Sequence, residues 1–82
     1  MYQLSVRERE LLRLMANGYS NAGIAAELYL APKTVEAHVR SIFRKLNLPQ
    51  GDNAHRRVCA VLLYLRATGA LQPPRPHLAR VA

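Results

Sequence analysis

Cysteine is almost missing from this chain: Cys59 stands alone among 82 residues. One thiol cannot build an internal disulfide framework or a cysteine-based zinc finger, and His38, His55 and His77 fall at no metal-ligand spacing. No metal or cofactor is expected, and a reducing, cytoplasmic setting fits. Long hydrophobic runs are missing too. The longest uninterrupted apolar stretch, Val58 to Leu65, is far short of the roughly 20 residues that span a bilayer. The start, Met1-Tyr2-Gln3, leads into a charged helical pattern with no apolar signal-peptide core, so neither a membrane partner nor secretion is expected. A chain this short buries about 60–65% of its unfolded surface, leaving little room for an enclosed catalytic cavity. Surface binding is expected, not catalysis.

Acidic residues are also scarce, 5 Asp+Glu against 12 Lys+Arg, and the formal charge is +7. Half of the residues are hydrophobic, too many for a disordered basic tail, so a single folded basic domain is expected. The charge is unevenly placed. In residues 1–28, Arg7, Arg9 and Arg13 cancel Glu8, Glu10 and Glu27. Lys33, Arg40, Arg44, Lys45, Arg56 and Arg57 outweigh Glu36 and Asp52 in residues 29–57, and Arg66, Arg75 and Arg80 add to the excess. Clustered basic charge attracts polyanions, because each cation that neutralises a phosphate releases a condensed counterion. Acidic membranes or proteins would answer to the same field.

Four helices are legible. Ser5-Val6-Arg7-Glu8 has the capping-box spacing, and Leu11, Leu12, Leu14 and Met15 follow at helical intervals until Asn17-Gly18 ends a helix over 6–17. Ser20 or Asn21 caps a short second helix with Ile24, Ala25 and Leu28 inward, where Ala22, Ala25 and Ala26 allow close approach of a neighbour. Tyr29-Leu30-Ala31 forms a turn, since Pro32 disfavours helical geometry at Ala31 and suits the first position of a new helix. Two helices joined by so short a turn form a helix-turn-helix unit.

The third helix, over 32–46, has two opposed faces. At about 100° per residue, Val39, Ile42 and Leu46 fall close to Val35, whereas Lys33, Ala37, Arg40 and Arg44 gather on the far side, with Glu36 and Ser41 at its edges. That stripe is either a solvated face or a basic binding surface on the second helix of the pair. Leu48-Pro49-Gln50-Gly51 breaks the pattern, and Asp52 caps a fourth helix, over 52–68, that ends at Gly69. Its expected core stripe is Val58, Val61, Leu62 and Leu65. Apolar surface remaining off the stripe needs another partner. The domain thus covers 1–70, and residues 71–82 read as a Pro-rich loose tail.

Leu4-Ser5, Arg7-Glu8, Glu10, Leu12, Ala16-Asn17-Gly18, Ser20-Asn21, Ile24-Ala25, Leu28, Lys33-Thr34-Val35, His38-Val39, Ile42 and Lys45-Leu46 follow in an order that resembles the LuxR/FixJ/NarL-type helix-turn-helix domain. The resemblance covers residues 4 to about 68. It implies an all-α, four-helix bundle, the effector domain of a bacterial transcriptional regulator such as a two-component response regulator. The third helix would enter the major groove of double-stranded DNA and the fourth would form a homodimer, with RNA polymerase as a further partner. Carried over by position, base contacts fall on Glu36, Ala37 and Arg40, and phosphate contacts on Ser20, Asn21, Lys33, Thr34, Arg44 and Lys45. Val58, Leu62, Leu63 and Tyr64 are the dimer candidates. An arginine fork suits guanine, a glutamate can accept from cytosine N4 or orient an arginine, and alanine can meet a thymine methyl.

The chain departs from the family pattern at three places. Ala31 stands where a capping Ser, Thr or Asp is usual, Gly23 replaces a better helix former, and the stretch from Leu48 to Arg57 is a few residues longer. Other chemistry finds no support in the sequence. His38, at the margin of the aliphatic face, reads as a packed, hydrogen-bonded histidine; Cys59 reads as a small buried hydrophobe, and Asp52 as a cap. There is no Gly-rich phosphate loop, no Ser/His/Asp set and no carboxylate pair, so an enzyme is not expected. The competing reading is a helical protein-interaction or polymerase-docking module that never reads bases. Family members usually join this domain to a sensory part, so either an excised effector domain or a stand-alone regulator is expected.

Overall fold

The Ser5-Glu8 pair closes as its spacing predicts. In the computed structural model, which describes residues 3–48 and 51–69, the Glu8 N–H donates to Ser5 Oγ at 3.0 Å and the Ser5 N–H to Glu8 Oε1 at 2.8 Å. This opens α1, Val6–Ala16, which stops where Gly18 adopts φ +90°. The hydroxyl of Ser20 accepts from the Gly23 N–H at 3.1 Å to start α2, Asn21–Leu28, and Tyr29, in the left-handed region at φ 56°, ends it. Pro32 begins α3, Pro32–Lys45, after Ala31, which supplies no side-chain cap. Asn47, also left-handed at φ 54°, turns the chain after α3. Asp52 Oδ1 then accepts from the His55 N–H at 2.7 Å, capping α4, Asn53–Ala67. The fold is all-α, with no strand among the described residues. The expected tail, 71–82, and the Pro49-Gln50 step of the expected break lie outside the described residues.

α1 packs against each of the other helices, α2 pairs with α3, and α4 lies along α1 and touches α3. Leu11 and Leu12 of α1 meet Ile24 of α2 and Val35 and Ile42 of α3 in a core where all five are fully buried. Of the three alanines expected to thin α2, only Ala25 is buried; Ala22 and Ala26 face outward.

One carboxylate joins the two ends of this packing. Glu8, 4% exposed, accepts from Ser41 Oγ at 2.6 Å and from Lys45 Nζ at 2.8 Å as well as from its own cap. Burial alone would push this carboxyl up, but the bonds from Lys45, Ser41 and the Ser5 N–H outweigh it and bring it from 4.5 down to about 2. The local cap is thereby also the anchor of the last turn of α3.

The fourth helix corrects the expected core stripe. Ala60 is the buried residue of α4, and Leu63, Tyr64 and Val61 lean on the core beside it. At about 100° per residue, Val58, Leu62 and Leu65 lie on the opposite side from Ala60. Val58 is 57% and Leu62 37% exposed, while Leu65 is half-buried. The aliphatic set has helical periodicity, but from Val58 to Leu65 α4 is apolar on every side. The small Ala60 lets its backbone come close to the bundle, which turns the larger residues outward.

A single side chain ties α4 to α2. Arg57 Nη1 donates to Asn21 Oδ1 at 2.7 Å, and Nη2 to the Tyr19 carbonyl just before α2. Burial pushes its guanidinium below the ordinary arginine value. The sequence counted this residue only as charge, because a bond across 36 positions leaves no periodic signal.

Two outcomes follow from these bonds. The depressed Glu8 carboxyl binds a proton less readily folded than unfolded, so its contribution, on the order of 3 kcal/mol, is present above about pH 4.5 and is lost as pH falls towards 2. Glu8→Gln can keep the capping-box geometry but not the charge, so denaturant titrations should show lower stability at pH 7 and a flatter acid limb. Arg57→Ala should cost about 1–3 kcal/mol in the same titration, since it leaves the Tyr19 carbonyl and Asn21 without their donor.

Candidate nucleic-acid interface

α3 owes its position to its buried side. Val35, Val39, Ile42 and Phe43 are held in the core, and this turns the other side outward along the whole helix. Lys33, Thr34, Glu36, Ala37, Arg40 and Arg44 are all exposed on it. Among the described residues no carboxylate is within ion-pair distance of Lys33, Arg40 or Arg44, Glu36 included; the two ion pairs found, Arg7–Glu10 at 3.7 Å and Lys45–Glu8 at 2.8 Å, lie elsewhere. Arg44 reaches only Ser41 Oγ, at 3.5 Å. The face is a long, uncompensated positive strip.

The remaining candidates sit differently. Ser20 and Asn21 stand at the start of α2, where the Ser20 oxygen is taken up by the Gly23 N–H and the Asn21 oxygen by Arg57. Among the described residues the Asn21 amide N–H groups and the Ser20 hydroxyl hydrogen have no such tie. Lys45, counted with the phosphate contacts, spends its ammonium on Glu8, and its side chain is 37% exposed. Of the dimer candidates, Val58 and Leu62 are exposed and border a shallow apolar depression with Met15 and Val61. Leu63 and Tyr64 instead lean on the core of their own chain. His38 is half-buried and, against expectation, has no side-chain hydrogen bond to another described residue. Cys59 is half-buried with Sγ 3.7 Å from His55 Nε2.

Two residues of α4 that the sequence entered only as charge adjoin this strip. Arg56 lies with its guanidinium 5.3 Å from the centre of the Phe43 ring, a cation–π distance, and donates to Asn53 Oδ1 at 3.0 Å. With Arg57 it faces Arg40 across a cleft between α3 and the start of α4. The doublet Arg56-Arg57 directly after a cap was the available signal.

Electrostatics and shape together describe a surface suited to a polyanion with a groove wide enough for a helix. B-DNA offers both, in its phosphates and its major groove. Among the described residues no helix is long and apolar enough to cross a membrane.

Known proteins point the same way. The family described as bacterial regulatory proteins, luxR family, matches residues 2–63. The nitrate/nitrite response regulator protein homolog of Haemophilus influenzae is 43% identical over 61 residues, 74% of this chain and 26% of that protein. The nitrate/nitrite response regulator protein NarP of Escherichia coli is 39% identical over 67 residues, covering 82% and 28%. The oxygen regulatory protein NreC of Staphylococcus carnosus is 56% identical over 45 residues, covering 55% and 21%. The chain spans about a quarter of the length of the curated relatives it matches. With its four helices, its helix-turn-helix pair and a match over most of its length, the chain belongs to the luxR family of bacterial regulatory proteins and is a DNA-binding, non-enzymatic domain of transcription regulators.

Proposed function

We propose that this domain binds specific double-stranded DNA sites as the cytoplasmic effector part of a bacterial response regulator, reading bases with α3 and pairing with a second copy through α4. The observation that carries this reading is the exposed face of α3, whose cations no carboxylate neutralises while its opposite face is locked in the core. The response-regulator part rests on the names of the relatives.

Arg40 supplies a planar fork for guanine O6 and N7, and Ala37 can meet a thymine methyl one turn earlier. Glu36, in reach of cytosine N4 from the edge of the strip, is equally suited to orienting Arg40, four residues on. Lys33, Thr34 and Arg44 flank the base-reading positions and suit phosphates, as do Ser20 and Asn21 at the start of α2. Lys45 is the weakest of these donors, since a phosphate must compete for it with Glu8. Homodimerisation through α4 is supported by the outward set Val58 and Leu62, whereas Leu63 and Tyr64 can share in it only from the rim.

Selection of bound sites from random duplexes tests the central claim, followed by titration of variants on selected and scrambled DNA. Arg40→Ala should cost about 1–3 kcal/mol on the selected site and flatten preference, while Lys33→Ala and Arg44→Ala should weaken all DNA alike and each reduce the salt slope by about 1. Equal losses for all three on both duplexes would remove base reading by Arg40. No binding to any duplex at ~50 mM salt would favour the protein-interaction module instead. Leu62→Glu should abolish pairing on a palindromic site in sedimentation and leave the fold intact, as the residue is 37% exposed; persistence of the pair would exclude the α4 face.

A further inference from the structure

The cleft between α3 and the first turns of α4 has a volume of about 490 Å³ and is walled by Glu36, Arg40 and Phe43 on one side and by Asn53, Arg56 and Arg57 on the other, so three guanidiniums and one carboxylate border it. Its electrostatics are unusual for a structural groove. Arg56 and Arg57 sit near the start of α4, at the positive end of the helix, where the nearest acid in sequence is the capping Asp52, whose Oδ1 is taken by the His55 N–H. Among the described residues neither pairs with a carboxylate. Arg57 is committed to Asn21 and the Tyr19 carbonyl, but Arg56 is only partly used: Nη2 donates to Asn53, its plane rests near Phe43, and its Nε is buried with no partner. A second, smaller depression shares Arg40, Phe43 and Arg56 and adds Arg44, so the cleft adjoins the positive strip of α3. The cations outnumber Glu36 around this opening, and a phosphate beside the exposed Nη groups of Arg56 and the fork of Arg40 relieves the repulsion between them.

We propose that this cleft seats one backbone phosphate of DNA beyond the stretch met by the exposed face of α3, with Arg56 as its principal donor, Asn53 beside it and Arg40 at the shared edge. The inference rests on the DNA-binding reading above and extends its footprint to α4. The role of this contact is affinity and register, since a phosphate carries no base identity.

Arg56→Gln should lower the salt slope on random duplex by about 0.9 and weaken binding about eightfold at ~0.1 M salt, leaving the ranking of selected sites unchanged. Asn53→Asp is the complementary variant. An acid at the start of a helix favours the helix, so thermal melting should be unchanged or raised while DNA affinity falls; a merely structural role for this turn would move both together. Replacing single flanking phosphates of a selected site by methylphosphonate should locate one position where the wild-type chain loses affinity and Arg56→Gln loses none. A natively melting Arg56→Gln with the wild-type salt slope, or a methylphosphonate profile identical to the wild type, overturns the seat alone. Failure of the wild-type chain to bind any duplex overturns the DNA reading and the seat with it. If Arg56→Gln does not fold, wild-type affinity in Asn53→Asp overturns the seat.

Discussion

The carboxylate of Glu8 is the interaction on which this small bundle turns. It takes hydrogen bonds from the backbone at the start of α1, from a hydroxyl in the middle of α3 and from an ammonium at the end of α3, all while nearly withdrawn from water. Buried carboxylates are tolerated only when their lone pairs are filled, and here they are. The result is a polar pin through a core that is otherwise aliphatic. Apolar contacts can slide by a fraction of a residue at small cost, whereas a charged group with several directional partners fixes one register of α3 against α1. Since the outward face of α3 is defined by what its inward face is pinned to, the direction in which Arg40 points is set through Ser41 and Lys45 by a carboxylate on α1.

The division of labour on α3 also explains why the domain can be so small. A binding surface on one helix needs no enclosed volume; it needs a helix that cannot rotate. Phe43, Val35 and Ile42 resist rotation by burial, and the bonds of Ser41 and Lys45 to Glu8 resist it by geometry. Lys45 illustrates a compromise in this arrangement. A cation that reads as a polyanion contact by its place near the strip is instead the partner that makes burial of an acid possible.

Much of this was legible in the sequence where the cause is local. The capping box at Ser5, the Ser20 and Asp52 caps, the proline at the start of α3 and the two faces of α3 are all set by residues a few positions apart, and they are found where spacing puts them. The failures share another cause. The inward side of α4 is not legible from size, since Val58, Leu62 and Leu65 are larger than Ala60 yet lie opposite it; which face of an apolar stretch turns inward depends on how near the neighbouring helix can come. Glu8 as a long-range anchor, Lys45 as its partner and Arg57 as a bridge depend on bonds across more than thirty positions, for which single-sequence periodicity has no counterpart.

Arg57 is a mechanical link. Among the described residues α2 and α4 make no direct helix-to-helix packing contact, and the link between them runs through this guanidinium to Asn21 and the Tyr19 carbonyl. It is a strut between α2 and the start of α4, added to the direct packing of α4 on α1 and α3. Anything built on the outer face of α4 inherits the offset these contacts set. In an assembly with twofold symmetry the offset would be doubled, so the distance between the two copies of α3 would depend in part on a bond that α3 does not itself make.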